Sequence, residues 1–456
     1  MTAPTLSERL ADWILDFEID QASGAARQGA ADTILDTVCL AVAALDTDYG
    51  TAVRTAFSDE GKATVWGLEE GRSPEAAAAI NGTCGHGEDY DNTFEGCPVH
   101  TGVVIVPALI AASDRYGLDA TDTARGIVVG LEVMCRLGLV ADKSVHKAGF
   151  HPTAVLGAMA SAAGVSAALR LDRLRIRNAL GVAGSMASGI IEYLSDGSST
   201  KRLHPGWAAQ SGLRAAALGA AGFTGPAAVF EGTHGFFNGF SKPRATDFSP
   251  LLDGLGERWE SARLAFKPFA CGTMTQPYVD CAIDLRNRGI APEDVVNLTC
   301  DVGEGTVHRL WEPTESKKAP PTPYAAKFSG PYCIAAGWVW GDAGLAQFTE
   351  AAVRDQRALD LASKVRFHVD PGNEYPANYT GHIRATLKDG SEVKAFVPCM
   401  RGGARAPLSR EDLLVKARAN LSFSGRDPEQ AQAVADWADR LMAGGGKVET
   451  DLLRLC

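Results

Sequence analysis

No long apolar run interrupts this chain of 456 residues. Its most apolar stretch, Ala154 to Leu169, is rich in Ala and Gly, holds Ser161 and Ser166, and spans only 16 residues. A membrane span needs about 20 strongly apolar residues, so this stretch reads as a closely packed buried helix. Positive charge is also scarce. Against 55 acidic residues stand 44 Lys and Arg, a formal net charge of -11. That balance argues against non-specific binding to nucleic acid or an anionic membrane, although a small anion needs only local positive charge. The ten cysteines, Cys456 among them, include no CxxC pair and are scattered as buried thiols of a reducing compartment would be. The opening Met1-Thr2-Ala3-Pro4, soon followed by Glu8, Arg9 and Asp12, has neither the basic nor the apolar region of a signal peptide, which points to the cytoplasm. HExxH is missing, and Gly444-Gly445-Gly446-Lys447 lacks Walker spacing and reads as a turn.

What the chain does have is helical periodicity. Leu6 to Phe17, Gln28 to Leu45, and the stretches 102–116, 121–140, 154–169, 175–191 and 207–220 carry apolar residues at helical spacing. Near Lys267 the texture changes. Val296, Leu298, Cys300 and Val302 alternate with polar neighbours, as does Lys364 to Asp370. Ile383–Leu387 and Val393–Val397 flank Asp389-Gly390, a dipeptide that tolerates the positive φ of a tight hairpin. Helical stretches at 275–288, 329–341 and 350–363 lie among these strands. Ser409 to Asp412 reads as a capping box, and Asp427-Pro428 opens a final helix. The expected fold is therefore mainly α: a helical bundle from residues 1–265, completed by 405–456, with a smaller α/β domain inserted at 266–404.

The chemistry-bearing residues cluster. Six of the nine histidines fall between residues 86 and 234. The densest segment runs from Gly85 through His86, Glu88, Asp89, Asp91 and Thr93 to His100-Thr101-Gly102. Glu88, Asp89 and Asp91 with two histidines this close are hard to bury unpaired, which suits an active-site loop or, more plainly, a loop of caps and salt bridges. His86, Asp89, Asp91 and His100 are all possible metal ligands, yet no familiar ligand spacing joins them, so no metal is expected. His146, Lys147, His151 and Thr153 precede the Ala-rich helix, whose N-terminus could seat a carboxylate; a simple helix cap is the other reading of His151. Lys201-Arg202-Leu203-His204-Pro205-Gly206 reads as a basic loop. Lys267 sits among apolar residues, where burial lowers a lysine's proton affinity and suits it to proton transfer or anion binding. Cys271, with no paired base in view, reads as a buried structural thiol.

Seven stretches in order resemble the MmgE/PrpD family, a group of dehydratases, decarboxylases and epimerases of acids such as methylcitrate, aconitate and iminodisuccinate. They are His86-x-x-Asp89-Tyr90-Asp91-Asn92-Thr93, Gly149-Phe150-His151-Pro152-Thr153, Lys201-x-x-His204-Pro205-Gly206, Gly222-Phe223-Thr224-Gly225-Pro226, Phe230-Glu231-Gly232, Lys267-Pro268-Phe269-Ala270-Cys271 and Phe328-Ser329-x-x-Tyr332. The resemblance implies a homodimer without cofactor, whose inserted domain serves as a lid. It implies Asp89, His100, His151 and Lys267 as catalytic residues, and Thr93, His146, Lys201 and Tyr332 as substrate-binding residues. Three departures leave the substrate open: His100-Thr101-Gly102 replaces His-Pro-Ser, Thr275-Gln276 replaces Thr-His, and Gly272 stands where decarboxylases carry a histidine.

Dehydration, decarboxylation and epimerisation share negative charge on a carbon beside a carboxylate. That charge calls for a histidine of suitable proton affinity and for cations on the carboxylates. The expected activity is a lyase on a small di- or tricarboxylic acid, with an epimerase or isomerase as the alternative enzyme and a non-catalytic binding homologue as the rival from another class. His100 and His151 argue against the last. The expected site draws on both domains.

Overall fold

The computed structural model describes residues 3–454, so Cys456 lies outside them. It separates into two compact units. Unit 1 comprises residues 1–87, 91–265 and 413–456, and unit 2 comprises 88–90 and 266–412. The fold is mainly α, as the periodicity predicts.

Unit 1 is built from helices α1 (Leu6–Asp16), α2 (Gly24–Ala43), α3 (Asp48–Ala56), α4 (Pro74–His86), α5 (Gly102–Tyr116), α6 (Ala120–Ala141), α7 (Pro152–Ala168), α8 (Arg173–Met186) and α9 (Thr200–Ala220). Their starts are chemically marked. Thr5 and Glu8 form a reciprocal capping box on α1, satisfying backbone N–H groups that have no intrahelical acceptor. Gly117, at φ 65, ends α5 in the left-handed conformation that glycine adopts at least cost. Every residue of α7 is buried. Its small side chains let backbones meet: a Cβ on Gly126 of α6 would stand 2.7 Å from the Gly164 carbonyl of α7. The same device joins α4 to α9, where a Cβ on Gly206 would lie 2.1 Å from the Ala79 carbonyl and one on Gly82 would lie 2.7 Å from the Gly206 Cα. Among the described residues no single helix is long and apolar enough to cross a membrane.

Two boundaries differ from the periodicity. Helix α9 begins at Thr200 rather than 207, because Pro205 lies inside its first turns and there reads as a break. Lys201 and His204 are therefore helical, not loop, residues. Helix α8 ends at Met186, since residues 189–191 pair their backbone with 149–151 instead. A short ribbon, β1 (Thr93–Phe94) antiparallel to β2 (Leu264–Ala265), completes the frame around the 91–102 segment.

Unit 2 holds a four-stranded sheet in the order β4–β3–β5–β6, from β3 (Val295–Val302), β4 (Val365–Val369), β5 (Gly381–Leu387) and β6 (Glu392–Val397). Strands β3 and β4 are parallel; the other pairs are antiparallel. Gly390, at φ 84, closes the β5–β6 hairpin. Val296 is exposed although the alternation places it inward. A register shift between Val295 and Asn297 reverses the pleat, so Val295 is buried in its stead. Helix α10 (Gln276–Asn287) packs on β5 and β6, with α11 (Gly330–Trp340) beside it and α12 (Gln356–Ser363) against α11. Helix α13 (Arg410–Phe423) opens on Ser409, whose Oγ accepts from Asp412 N while its N–H donates to the Asp412 carboxylate. Helix α14 (Gln430–Ala443) then packs on α2 in unit 1. Among the described residues no disulfide forms, and all of the nine cysteines but Cys399 are buried.

Candidate active site

The segment after α4 is positioned residue by residue. Gly87 caps the helix under the ring of Tyr49, where any Cβ would collide. Asp89 then adopts φ 53, which turns its side chain to Lys267. Lys267 Nζ donates to Asp89 Oδ1 and to the Asp89 carbonyl, both at 2.7 Å. Glu88 pairs with Lys327 Nζ at 2.9 Å, and the Tyr90 hydroxyl donates to the Pro268 carbonyl at 2.8 Å. The next residues return to unit 1, where Asn92 acts as a spool. Its N–H donates to Asp36, its amide donates to Thr33 and Thr101, and its Oδ1 accepts from Gly102 N. Asp36 in turn pairs with buried Lys416 at 2.7 Å. A Cβ at Gly102 would stand 2.5 Å from Thr37 Oγ1, so Thr101-Gly102 fits a packing need at this turn. Thr93, also buried, donates its hydroxyl to the Val99 carbonyl at 3.2 Å.

Four imidazoles gather in unit 1. His86 Nδ1 lies 3.0 Å from Asp91 Oδ2, and His100 Nδ1 lies 3.0 Å from the same oxygen. An ionised carboxylate only accepts, so both Nδ1 atoms carry a proton, and a neutral His86 is left with its lone pair on Nε2. His86 Nε2 is buried with no hydrogen-bond partner. His151 occupies the N-cap of α7, yet its side chain does not cap the helix. It points its Nδ1 at His204 Nδ1, 3.1 Å away. The His151 ring lies 5.8 Å from that of His86, and the His86 ring 4.7 Å from that of His100. Tyr193 sets its edge against both His151 and His204.

Burial sets the charge of this group. It lowers His86 to about 4 against the opposing pull of Asp91, and lowers His204 to about 4, with His86 and Lys201 adding to the effect. It also pulls His151 well below the ordinary imidazole range, with Lys201 next in importance. These three rings are neutral at pH 7. Burial alone would raise the Asp91 carboxyl, but the two imidazole contacts outweigh it and hold Asp91 ionised. The result is a buried cluster of imidazoles around one fixed anion, with His86, His151 and His204 neutral.

The remaining sequence-predicted residues lie as follows. His146 is half-buried in a single turn, Ser144–Lys147. Lys201 is half-buried in the first turn of α9, three residues before His204 and so on the same face. In unit 2, Lys267 is buried as expected but is not solitary, since Asp89 neutralises it. Tyr332, on α11, is fully buried and donates its hydroxyl to the Gln347 carbonyl at 2.8 Å. Cys271 accepts from Thr275 Oγ1 at 3.0 Å, as a structural thiol does. Gln276 clamps the turn that carries Lys267, accepting from Phe269 N and donating to the Phe269 and Cys271 carbonyls.

From the sequence, Asp89 stands as the catalytic acidic group of the first loop, His86 and Asp91 only as possible metal ligands, and His204 without a role. The structure brings His86, Asp91 and His204 to His100 and His151. His204 carried a signal, three residues after Lys201 in a matching motif. Of the four proposed metal ligands, His86, Asp91 and His100 offer atoms within 4.8 Å of one another and could hold an ion, while Asp89 is turned to Lys267. Two N–H···O bonds at 3.0 Å account for the same three side chains.

Comparison with known proteins places these residues in context. The MmgE/PrpD N-terminal domain matches residues 8–249 and the MmgE/PrpD C-terminal domain matches residues 269–440. The chain is 30% identical over 376 residues to a cis-aconitate decarboxylase of Mus musculus, covering 80% of this chain and 76% of that one. It is 30% identical over 380 residues to the Homo sapiens cis-aconitate decarboxylase, with the same coverage. To a cis-aconitate decarboxylase of Aspergillus terreus it is 26% identical over 404 residues, covering 83% and 81%.

Proposed function

This chain belongs to the MmgE/PrpD family, and we propose that it works there as a cofactor-free lyase that dehydrates or decarboxylates a citrate- or aconitate-like acid. One observation carries the reading: buried imidazoles gather around an ionised Asp91 that orients His86 and His100 through their Nδ1 atoms. At pH 7 a neutral imidazole has a lone pair free to take a proton from a carbon beside a carboxylate, and one whose conjugate acid is disfavoured returns it readily. His151 and His100 are assigned that exchange. Lys201 and Lys267 are assigned the carboxylates and the developing enolate, where a charge-assisted hydrogen bond contributes about 1.5–3 kcal/mol. Asp89 holds Lys267 in place until a substrate carboxylate shares it. Thr93, His146 and Tyr332 are assigned contacts to the rest of the acid. Buried cysteines without a disulfide among the described residues suit a reducing compartment such as the cytoplasm.

The test is incubation with a panel of di- and tricarboxylates in deuterated water, followed by NMR. Loss of water or of carbon dioxide from one panel member supports the lyase. Deuterium entering beside a carboxylate with no net loss would instead assign an epimerase. No turnover and no exchange across citrate, methylcitrate, aconitate and iminodisuccinate-like acids would refute both.

A further inference from the structure

His151 and His204 meet through like atoms, and this has a chemical consequence. Their Nδ1 atoms are 3.1 Å apart, both side chains are buried (5% and 6% exposed), and the ring centroids are 5.2 Å apart. A neutral imidazole carries one N–H. Two lone pairs at this distance would repel, and two N–H groups would collide, so one Nδ1 donates and the other accepts. The two rings are thereby held in opposite tautomers. One presents an Nε2 lone pair, and the other presents an Nε2–H.

The surroundings hold this pair in register. His151 N donates to the Gly189 carbonyl at 2.9 Å, and Ile191 N donates to the Gly149 carbonyl at 3.0 Å. Gly189 adopts φ +127, and a Cβ there would lie 2.5 Å from Ala154 Cβ and 3.4 Å from the His204 ring. Only glycine lets that strand of backbone pass so close. On the other side, Gly206 seats α9 directly on α4 two residues beyond His204. Charged and titratable groups facing the pair among the described residues are Lys201, His86, Tyr193 and, for His151, also His100. None is a carboxylate. No anion at hand favours a lasting imidazolium on either ring.

We propose that His204 is the second half of a two-imidazole proton relay, setting the tautomer of His151 and carrying its proton onward. The inference rests on the reading of His151 as the group that exchanges a proton with the substrate. When His151 Nε2 accepts that proton, its Nδ1–H bond breaks as a new N–H bond forms at His204 Nδ1. His204 then gives the proton on its own Nε2 to solvent water, which leaves as hydronium. The substrate proton enters at His151 and a proton leaves to water at His204; each ring gains one N–H bond and loses one, and both finish neutral with their tautomers exchanged. The reverse sequence resets the pair and delivers a proton to the substrate. Both rings are less basic than free imidazole, so neither traps the proton in transit.

Long-range 1H–15N spectra of histidine-labelled wild-type protein at pH 7.5 decide the pairing without any variant. The expected result is one Nδ1–H and one Nε2–H tautomer for the two rings. Two like tautomers, or a stable imidazolium on either, would overturn the proposal. In His204→Phe, His151 should change its tautomer population; an unchanged His151 signal counts against the relay. With a panel acid that turns over, His204→Phe should lower kcat by about 10–100-fold with KM within about twofold. His204→Asn can partner the His151 Nδ1 but cannot pass a proton, so it should restore the tautomer and leave kcat low. Full activity in His204→Asn would reduce His204 to a tautomer anchor and refute the relay. If no acid turns over in the wild type, the functional reading fails, while the tautomer spectrum still decides the pairing.

Discussion

Removing one member of the Lys267–Asp89 pair should cost more than removing both. Lys267 is 1% exposed and Asp89 4% exposed, and the ammonium spends two of its donors on the Asp89 carboxylate and carbonyl. Lys267→Met leaves a buried carboxylate without its cation. Asp89→Asn leaves a buried ammonium without its anion, and Asn is the replacement of choice because it tolerates the φ of 53 at this position. Breaking a buried pair on one side costs about 3–5 kcal/mol, because an uncompensated charge remains. Taking both charges away removes that penalty, so the double variant should stand within about 1–2 kcal/mol of wild type. Urea denaturation followed by circular dichroism on all four proteins supplies the comparison. Activity separates the second role: the double variant should regain stability yet remain at least about a hundredfold slower, since Lys267 is assigned to the chemistry. If the double variant lost as much stability as the two single variants summed, the pair would not be the compensated unit described here.

Acid should weaken the fold through the imidazole cluster. His86 and His204 have folded values of about 4 against 6.5 when free, so the unfolded chain binds more protons between those limits. Stability is full above about pH 6.5 and falls toward pH 4, by up to about 3 kcal/mol per ring; a melting temperature that held or rose from pH 6.5 to 5 would contradict this. His151→Ala should slow turnover at least about a hundredfold, whereas His368→Ala and Lys394→Ala, at exposed pairs with Asp301 and Glu392, should change it little. Activity should survive exhaustive EDTA treatment, and metal found at one equivalent per chain with activity tracking it would count against the hydrogen-bonded reading of His86, Asp91 and His100. Light scattering at micromolar concentration should give twice the chain mass of 48.0 kDa, consistent with exposed Trp207, Leu218 and Phe223 in unit 1; a monomer mass would refute the dimer.

The sequence made long apolar periodicities legible and hid the places where backbone geometry reverses a pattern. Helix α5 was readable to the residue, since a glycine marks each end. Helix α9 was not, because Pro205 is tolerated in its early turns although it reads as a stop. The inward face of β3 was readable from Leu298 onward and lost at Val296, where one irregular step changes the pleat. The same holds in the site. Asp89 and Asp91 are two residues apart and look equivalent, yet the left-handed turn at Asp89 sends one to a lysine and the other to two histidines. That His151 meets His204, 53 residues away, depends on how α7 and α9 pack, which no local spacing encodes.

The contact between Gly82 and Gly206 also bears on how this protein can be altered in the laboratory. An interior helix glycine forgoes about 1 kcal/mol relative to alanine, so a stabilising screen would single out both positions for replacement. Either methyl group would have to push α4 and α9 apart, since it would meet backbone at 2.7 Å or less. His86 lies one turn beyond Gly82, and His204 lies two residues before Gly206. The two glycines therefore act as a gauge block for the spacing of the imidazoles. Variants selected for helix strength at these sites would be expected to trade away reaction rate, whereas Gly24, with nothing within 4 Å of an added Cβ, is where the same screen could gain stability without that loss.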